Sequence, residues 1–281
     1  MPARALLNGE PAADAIIFDR ACQFGDGLFE TIAVRDGKPC LWSRHISRLL
    51  RGCERLGLDM PDPVLLLEET ARLCAEREQA VLKILVSAGR SAGGYARDPE
   101  SKSTRLLICN DWHGACPWFD CPPLLVQECT TRLATQPMLA GIKHLNRLEQ
   151  VLARRELRDD CQEGVLFDQD GRPVEGVMSN LVLKFEDHYL TPSLNNAGVA
   201  GTVRELLIDN AASLELPLKI AQLERNALFR AEALFMTNAL RGIQPVAQLE
   251  DHRYRVSRRS AVLDTLHAAC FTFSGDPAWG A

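Results

Sequence analysis

Apolar positions along the chain fall into two kinds of run, one alternating and one recurring every three or four residues, so strands and helices are predicted in mixed order. Residues 27–35 (GLFETIAVR) and 39–43 (PCLWS) flank Asp36-Gly37, a dipeptide that favours a tight hairpin. Ile46, Leu49, Leu50, Cys53 and Leu56 recur at helical spacing, and 61–76 predicts a second helix. Residues 80–87 (AVLKILVS) and 104–109 (TRLLIC) predict strands, separated by a loop over 89–102 rich in Gly, Ser and Arg. The segment 113–123 (HGACPWFDCPP) carries three prolines and no periodicity.

The second half opens on a strand at 124–129 (LLVQEC). Residues 164–168 and 173–177 predict a hairpin around Asp170-Gly171, and 181–185 with 188–192 another. A helix is expected from near Thr202, a strand over 233–237, and a closing helix over 260–270. Hairpins and helices mixed in both halves, without strict strand-helix alternation, predict an α+β chain of two domains. The expected boundaries are 1–112 and 124–281, with 113–123 as the linker.

Composition narrows the function more than the fold. The chain has 281 residues, enough for two modest cores, with 46% apolar and 25% charged residues. A net charge of −5 gives no reason to expect nucleic acid or an anionic membrane surface as partner. No apolar run approaches the roughly 18 residues that span a bilayer, and the N-terminal stretch has no signal-like apolar core. The expected location is the cytoplasm, and the expected partner a small-molecule substrate. Ten cysteines include no Cys-x-x-Cys, and the six histidines show no HExxH, so reduced structural thiols are expected and metal is not.

The basic residues comprise twenty-six arginines and six lysines, and one lysine stands in AGIKHLNRLEQVLARREL, 140–157. Lysine can lose its proton and form Schiff bases, whereas arginine cannot. Asn146 and Glu149 fit an N-cap with its reciprocating acid, predicting a helix from about Arg147 with Leu148, Val151 and Leu152 as its buried stripe. Glu149, Arg154 and Arg155 are expected to face solvent. Lys143 then lies just before a helix N-terminus and near Arg147, both of which disfavour a second cation and lower a lysine pKa. Lys143 is either a covalent catalyst or a plain surface lysine. Its rival is Lys83, in the apolar strand AVLKILVS.

A Schiff-base lysine usually serves pyridoxal phosphate (PLP), which also needs an acid at its ring nitrogen and an anion site for its phosphate. Glu175, in RPVEGVMSNL, is an acid in an apolar strand, where a carboxylate is costly without a cation; an exposed hairpin charge is the plainer reading. GVAGTVRELL, 198–207, presents glycine and then a helix start, a ready anion site, although Thr202-x-x-Glu205 also reads as a capping box.

GIKHLNRLEQV resembles the 4-amino-4-deoxychorismate lyases. These are PLP enzymes of fold type IV, a group that includes branched-chain and D-amino-acid aminotransferases. The resemblance extends through DRACQFGDGLFETIAVRDGK at 19–38, RHISRL at 44–49, VEGVMSNL at 174–181, GTVRELL at 201–207 and FMTNALRGIQPV at 235–246. It implies two α+β domains of the D-amino-acid aminotransferase type, PLP in the cleft between them, and a homodimer. It also implies conversion of 4-amino-4-deoxychorismate to 4-aminobenzoate and pyruvate on the way to folate. Carried over by position, Lys143 resembles the lysine bonded to PLP and Glu175 the acid at the pyridine nitrogen. Arg48 resembles the phosphate arginine. Thr202, Val203, Asn238 and Ala239 resemble the phosphate-binding backbone positions.

His144 and Arg147 flank the lysine as in the lyases. Leu148, where branched-chain aminotransferases place tyrosine, counts against that activity and leaves a D-amino-acid aminotransferase as the alternative. Arg90, Arg97 and Arg241 are candidates for the substrate carboxylates, and Thr31 for the proton donor.

Overall fold

The computed structural model describes residues 6–7, 10–11, 15–90, 94–112, 122–255 and 261–271. Two short strands, β1 (Leu6–Leu7) and β2 (Glu10–Pro11), pair with each other ahead of helix α1 (Arg20–Phe24). Then β3 (Gly27–Arg35), β4 (Lys38–Pro39), β5 (Gln79–Ser87) and β6 (Thr104–Asp111) form an antiparallel sheet in the order β4-β3-β5-β6. Helices α2 (Trp42–Leu56) and α3 (Pro63–Cys74) are inserted between β4 and β5. Asp36 and Gly37 both have positive φ, 49° and 76°, as the predicted hairpin turn requires. The strand expected over 39–43 stops at Pro39, because Leu41 takes φ 51° and α2 begins at Trp42.

The second half carries β7 (Leu124–Arg132), α4 (Leu148–Glu156), β8 (Glu163–Phe167), β9 (Pro173–Gly176), β10 (Asn180–Lys184) and β11 (Tyr189–Pro192). After these come α5 (Thr202–Asn210), β12 (Leu218–Ala221), α6 (Arg225–Arg230), β13 (Ala233–Asn238), β14 (Gly242–Leu249), β15 (His252–Arg253) and α7 (Ala261–Ala269). Its strands form one nine-stranded mixed sheet, ordered β12-β11-β10-β13-β14-β7-β8-β9, with β15 beside β14. The class is α+β, as expected. Of the expected linker, 113–121 lies outside the described residues.

Alternation on β3 sets up everything that follows. Leu28, Glu30 and Ile32 are buried and face α2, whose Trp42, Ile46, Leu49 and Cys53 share their core with Leu66 of α3. Burying each such Leu or Ile contributes about 1.5–3 kcal/mol. Phe29 and Thr31, on the opposite face of the strand, line a cavity instead.

Several strands are not announced by the pattern, β12 and β14 among them. β14 runs through GIQPVAQL between β13 and β7, although a proline within a run argues against a central strand. Pro245 pairs with Phe235 of β13, and the pairing of β14 with β7 begins only at Val246, so the proline removes no ladder donor on the β7 side. Cysteines 22, 40, 53, 74, 109, 129, 161 and 270 are free, and Cys116 and Cys121 lie outside the described residues. Among the described residues no helix is long and apolar enough to cross a membrane.

Candidate active site

Lys143 is held from both sides by backbone. The Phe29 amide donates to the Lys143 carbonyl at 2.9 Å, and the Leu145 amide donates to the Gly27 carbonyl at 2.9 Å, so the lysine segment pairs with β3. On its other side the Gly141 amide donates to the Gly198 carbonyl and the Ala200 amide to the Gly141 carbonyl. Gly141 has φ 83°, a conformation that a side chain would strain. The lysine is thus fixed between the first sheet and the turn that precedes α5. Its Nζ lies 4.5 Å from the centroid of the Phe29 ring, at the wall of a cavity of about 410 Å³.

Burial pushes Lys143 down to about 8, with Arg48 and, more weakly, Arg147 adding to the effect against Glu30 and Glu175. The direction matches the sequence reading, but desolvation and Arg48 outweigh the Arg147 charge expected to matter. The rival is differently placed. Lys83 is an exposed residue on β5, across from Thr31.

The helix after the lysine departs from the pattern. It starts at Leu148 with Arg147 as N-cap and no side-chain cap bond. Asn146 instead donates to the Gly25 carbonyl at 3.0 Å, and Glu149 accepts from the Ala134 amide at 2.8 Å. The expected stripe is turned outward, with Leu148 76%, Val151 52% and Leu152 50% exposed, while Ala153 is buried. The cap fails because Asn146 and Glu149 are taken up by neighbouring segments, and the expected stripe is exposed because it is the Ala153 face that packs inward. Arg154 and Arg155 are exposed as expected, and Glu149 is half-buried.

Glu175 is buried on β9 and lines the same cavity. It accepts from the Val199 amide at 2.8 Å and from Gln150 Nε2 at 3.4 Å. Burial raises its pKa, while Val199, Arg147 and Lys143 pull it partway back. No cation bonds it directly among the described residues. A ring nitrogen that carries a proton is therefore a partner the site can accommodate. Two further buried atoms on the cavity lining, Thr237 Oγ1 and Gln150 Oε1, have no hydrogen-bond partner among the described residues. Buried polar atoms are normally paired, so the cavity is built for a polar occupant.

Arg48 and the start of α5 meet on one side of the cavity, where they could hold an anion. Glu30 takes Arg48 Nε at 2.8 Å and also Nη2, and the Ala200 carbonyl takes Nη1 at 2.8 Å. A guanidinium has five N–H groups, so two remain uncommitted beside the cavity that Arg48 lines. His45 Nδ1 meets Glu30 at 2.6 Å, and its Nε2 faces Thr202 Oγ1 at 3.5 Å. Burial would raise the Glu30 carboxyl, but Arg48 and His45 hold it at about 2. Burial lowers His45 against the pull of Glu30. Glu30 and His45 escaped the sequence reading, because only the strand-helix packing makes FET and RHISR one network.

Gly201 is the N-cap of α5 and has no side-chain cap; a Cβ there would meet Asn180 Oδ1 at 2.0 Å. The expected capping box does not form, since Glu205 accepts from Arg51 at 2.6 Å. The first-turn amides of Thr202 and Val203 lack intrahelical acceptors and face the positive end of the helix dipole. Thr202, Asn238 and Ala239 line the cavity, whereas the Val203 side chain packs into the core beneath. Asn238 Oδ1 accepts the amides of Leu240 and Arg241, shaping the turn from β13 to β14.

Thr31, Arg147 and Arg241 also line the cavity. Arg90 does not and lies over the Phe18 ring. Nor does Arg97, which is tied to Asp26 at 2.5 Å and to the carbonyls of Leu56 and Gly57. A wider groove of about 810 Å³ between Arg72 and Trp112 contains none of the groups singled out above.

The fold and cavity together define an enzyme whose low-pKa lysine, buried carboxyl and anion cup share one site. The sequence pattern described as amino-transferase class IV matches residues 27–249, and the chain belongs to that family. It is 30% identical to an aminodeoxychorismate lyase of Vibrio harveyi, over 86% of this chain and 89% of that one. A crystal structure of 4-amino-4-deoxychorismate lyase from Pseudomonas aeruginosa superposes with a TM-score of 0.83 at 40% identity, covering 93% and 96% of the two chains. A hypothetical aminotransferase from Mycobacterium tuberculosis, in its PLP-bound form, shares the fold with a TM-score of 0.75 at 22% identity, covering 94% of each chain.

Proposed function

We propose that the protein is a PLP-dependent lyase that converts 4-amino-4-deoxychorismate to 4-aminobenzoate and pyruvate in folate biosynthesis. The observation that carries this reading is the convergence of Lys143, Glu175 and Arg48 on one cavity, in a chain like two lyases along nearly its whole length. Lys143 would hold the cofactor covalently and Glu175 would face its ring nitrogen. Arg48 would grip its phosphate together with the amides at Thr202, Val203, Asn238 and Ala239. Bound there, the cofactor supplies an electron sink for charge developing at the substrate carbon next to the amine.

Lys143, with its pKa lowered to about 8, is suited to take the C4 proton of the substrate. The C3–O bond to the enolpyruvyl group then breaks, and the ring becomes aromatic, which drives the step. The departing enolpyruvate takes up a proton and becomes pyruvate; Thr31, which lines the cavity, would be the donor. The amine stays on the aromatic product, so no acceptor keto acid is consumed.

The two sheets serve as two domains, and the enzyme works as a cytoplasmic homodimer. Support for the dimer comes from α4, which presents Leu148, Val151 and Leu152 outward on one face. The deciding experiment is a product assay with 4-amino-4-deoxychorismate. Equal amounts of pyruvate and 4-aminobenzoate, without added keto acid, are expected. Turnover that depends on 2-oxoglutarate or pyruvate, with D-alanine as amino donor, would establish a D-amino-acid aminotransferase instead.

A further inference from the structure

Glu175 has a buried acidic neighbour on the next strand that takes no part in the steps above. Glu163, at the start of β8, is 3% exposed and makes no ion pair among the described residues. Its Oε1 accepts from the Gly164 amide at 3.1 Å. Its Oε2 accepts from the Met178 amide at 3.3 Å and from the Ser179 hydroxyl at 2.9 Å. Burial raises its pKa, and these donors pull it partway back. A carboxyl kept in the interior without a cation costs stability that an apolar residue would not, which points to a role beyond packing.

What Glu163 holds is the turn that follows Glu175. The Gly176 amide donates to the Ser179 carbonyl at 2.6 Å and closes that turn. A Cβ on Gly176 would lie 2.3 Å from Ser179 Oγ and 3.2 Å from Glu163 Cδ, so only glycine leaves the hydroxyl room to reach the carboxyl. Met178, Ser179 and Asn180 then line the cavity. Asn180 Nδ2 donates to the Val199 carbonyl at 2.9 Å, and the Val199 amide donates to Glu175 at 2.8 Å. These contacts form a closed ring that runs from the turn through Asn180 and Val199 to Glu175, and back along the backbone to the turn. Glu163 anchors that ring to β8 through Met178 and Ser179.

We propose that Glu163 is a positioning residue that acts through Ser179 and Asn180 to hold Glu175 where it faces the cofactor's ring nitrogen. This assignment rests on the role given to Glu175 in the reading above. Glu163 does not itself line the cavity and touches no reacting atom. The effect of losing it should therefore be exerted through Glu175, and should vanish where Glu175 can no longer hold the ring proton. A group that only stabilised the fold would act alike in both settings.

The test is a double-mutant cycle in the PLP-loaded enzyme, with Glu163→Gln, Glu175→Gln and the two combined. The amide keeps the size of the carboxyl but sets a donor against donors of the turn. Glu163→Gln should lower kcat for pyruvate formation by about tenfold, since small misplacements are costly, and leave KM within about twofold. In the Glu175→Gln background the same substitution should change kcat by no more than about twofold. Absorbance of the bound PLP gives a readout besides turnover. Glu175→Gln should raise the pH midpoint of the Lys143–PLP bond, because a ring without its proton no longer opposes a proton there. Glu163→Gln should raise it too, by less, and add nothing in the double variant. Should Glu163→Gln fail to fold, Ser179→Ala cuts the same link from its other end and is expected to repeat the pattern. A kcat unchanged by the substitution, or an equal drop in both backgrounds, would overturn the assignment. A wild type that binds PLP but forms no pyruvate would remove the lyase reading alone. The absorbance comparison then decides this assignment, and an unmoved midpoint in Glu163→Gln overturns it.

Discussion

Arg48 Nη1 donates to the carbonyl of Ala200 at 2.8 Å, joining α2 to the turn that opens α5 across 152 positions of the chain. The same guanidinium is held by Glu30, so a single buried side chain links β3, α2 and the anion cup.

Arg48→Gln should weaken PLP binding by about 10- to 100-fold, from the loss of charge-assisted bonds to phosphate. It also strands a buried carboxylate, which costs about 3–5 kcal/mol of stability. Adding Glu30→Gln should recover part of the thermal stability but not the cofactor affinity. Equilibrium dialysis and calorimetry would separate the two effects, and recovery of affinity in the double variant would count against the phosphate role.

Lys143→Ala should abolish turnover and the borohydride-reducible bond. In the wild type the neutral amine is the reactive form, and the Lys143 pKa is lowered to about 8 from 10.5. Covalent capture of PLP by the cofactor-free protein should therefore quicken with rising pH and level off above about 8. Arg48 helps to lower that pKa, so Arg48→Gln should move the plateau upward. Stopped-flow absorbance measures this, and a wild-type plateau delayed to near pH 10 would contradict the buried environment. Labelling of Lys83 by reduction would overturn the assignment of the covalent lysine.

Glu175→Gln should retain PLP and lose most activity, by about two orders of magnitude or more. The amide keeps the shape of the carboxyl and can still accept from Val199, but it cannot hold a proton on the ring nitrogen. The loss belongs in kcat, because phosphate contacts dominate binding. Near-normal turnover at saturating PLP would remove this role.

Leu148→Asp combined with Val151→Asp should convert a dimer to monomers in sedimentation experiments. Both side chains are more than half exposed in the single chain, so the fold itself should change by only about 0.5 kcal/mol. A wild type that already sediments as a monomer would remove the homodimer.

The sequence by itself determined the local periods and the residue types that chemistry requires. Alternation in GLFETIAVR and AVLKILVS, the Asp36-Gly37 turn and the helical spacing from Ile46 to Cys53 all specify structure through contacts near in sequence. The scarcity of lysine singled out Lys143. What the tertiary structure decided was which groups meet. α4 turned out to bury Ala153 and expose Leu148, because the direction of a helix face depends on what packs beside it, and periodicity gives only the spacing. β14 carries a proline tolerated because its pairing with β7 begins one residue later, at Val246. Arg48 reads as a surface charge on its own helix; Glu30, eighteen positions away on the buried face of β3, turns it into part of a cup. Lysine pKa values are set by desolvation, and desolvation depends on atoms brought together from both halves of the chain.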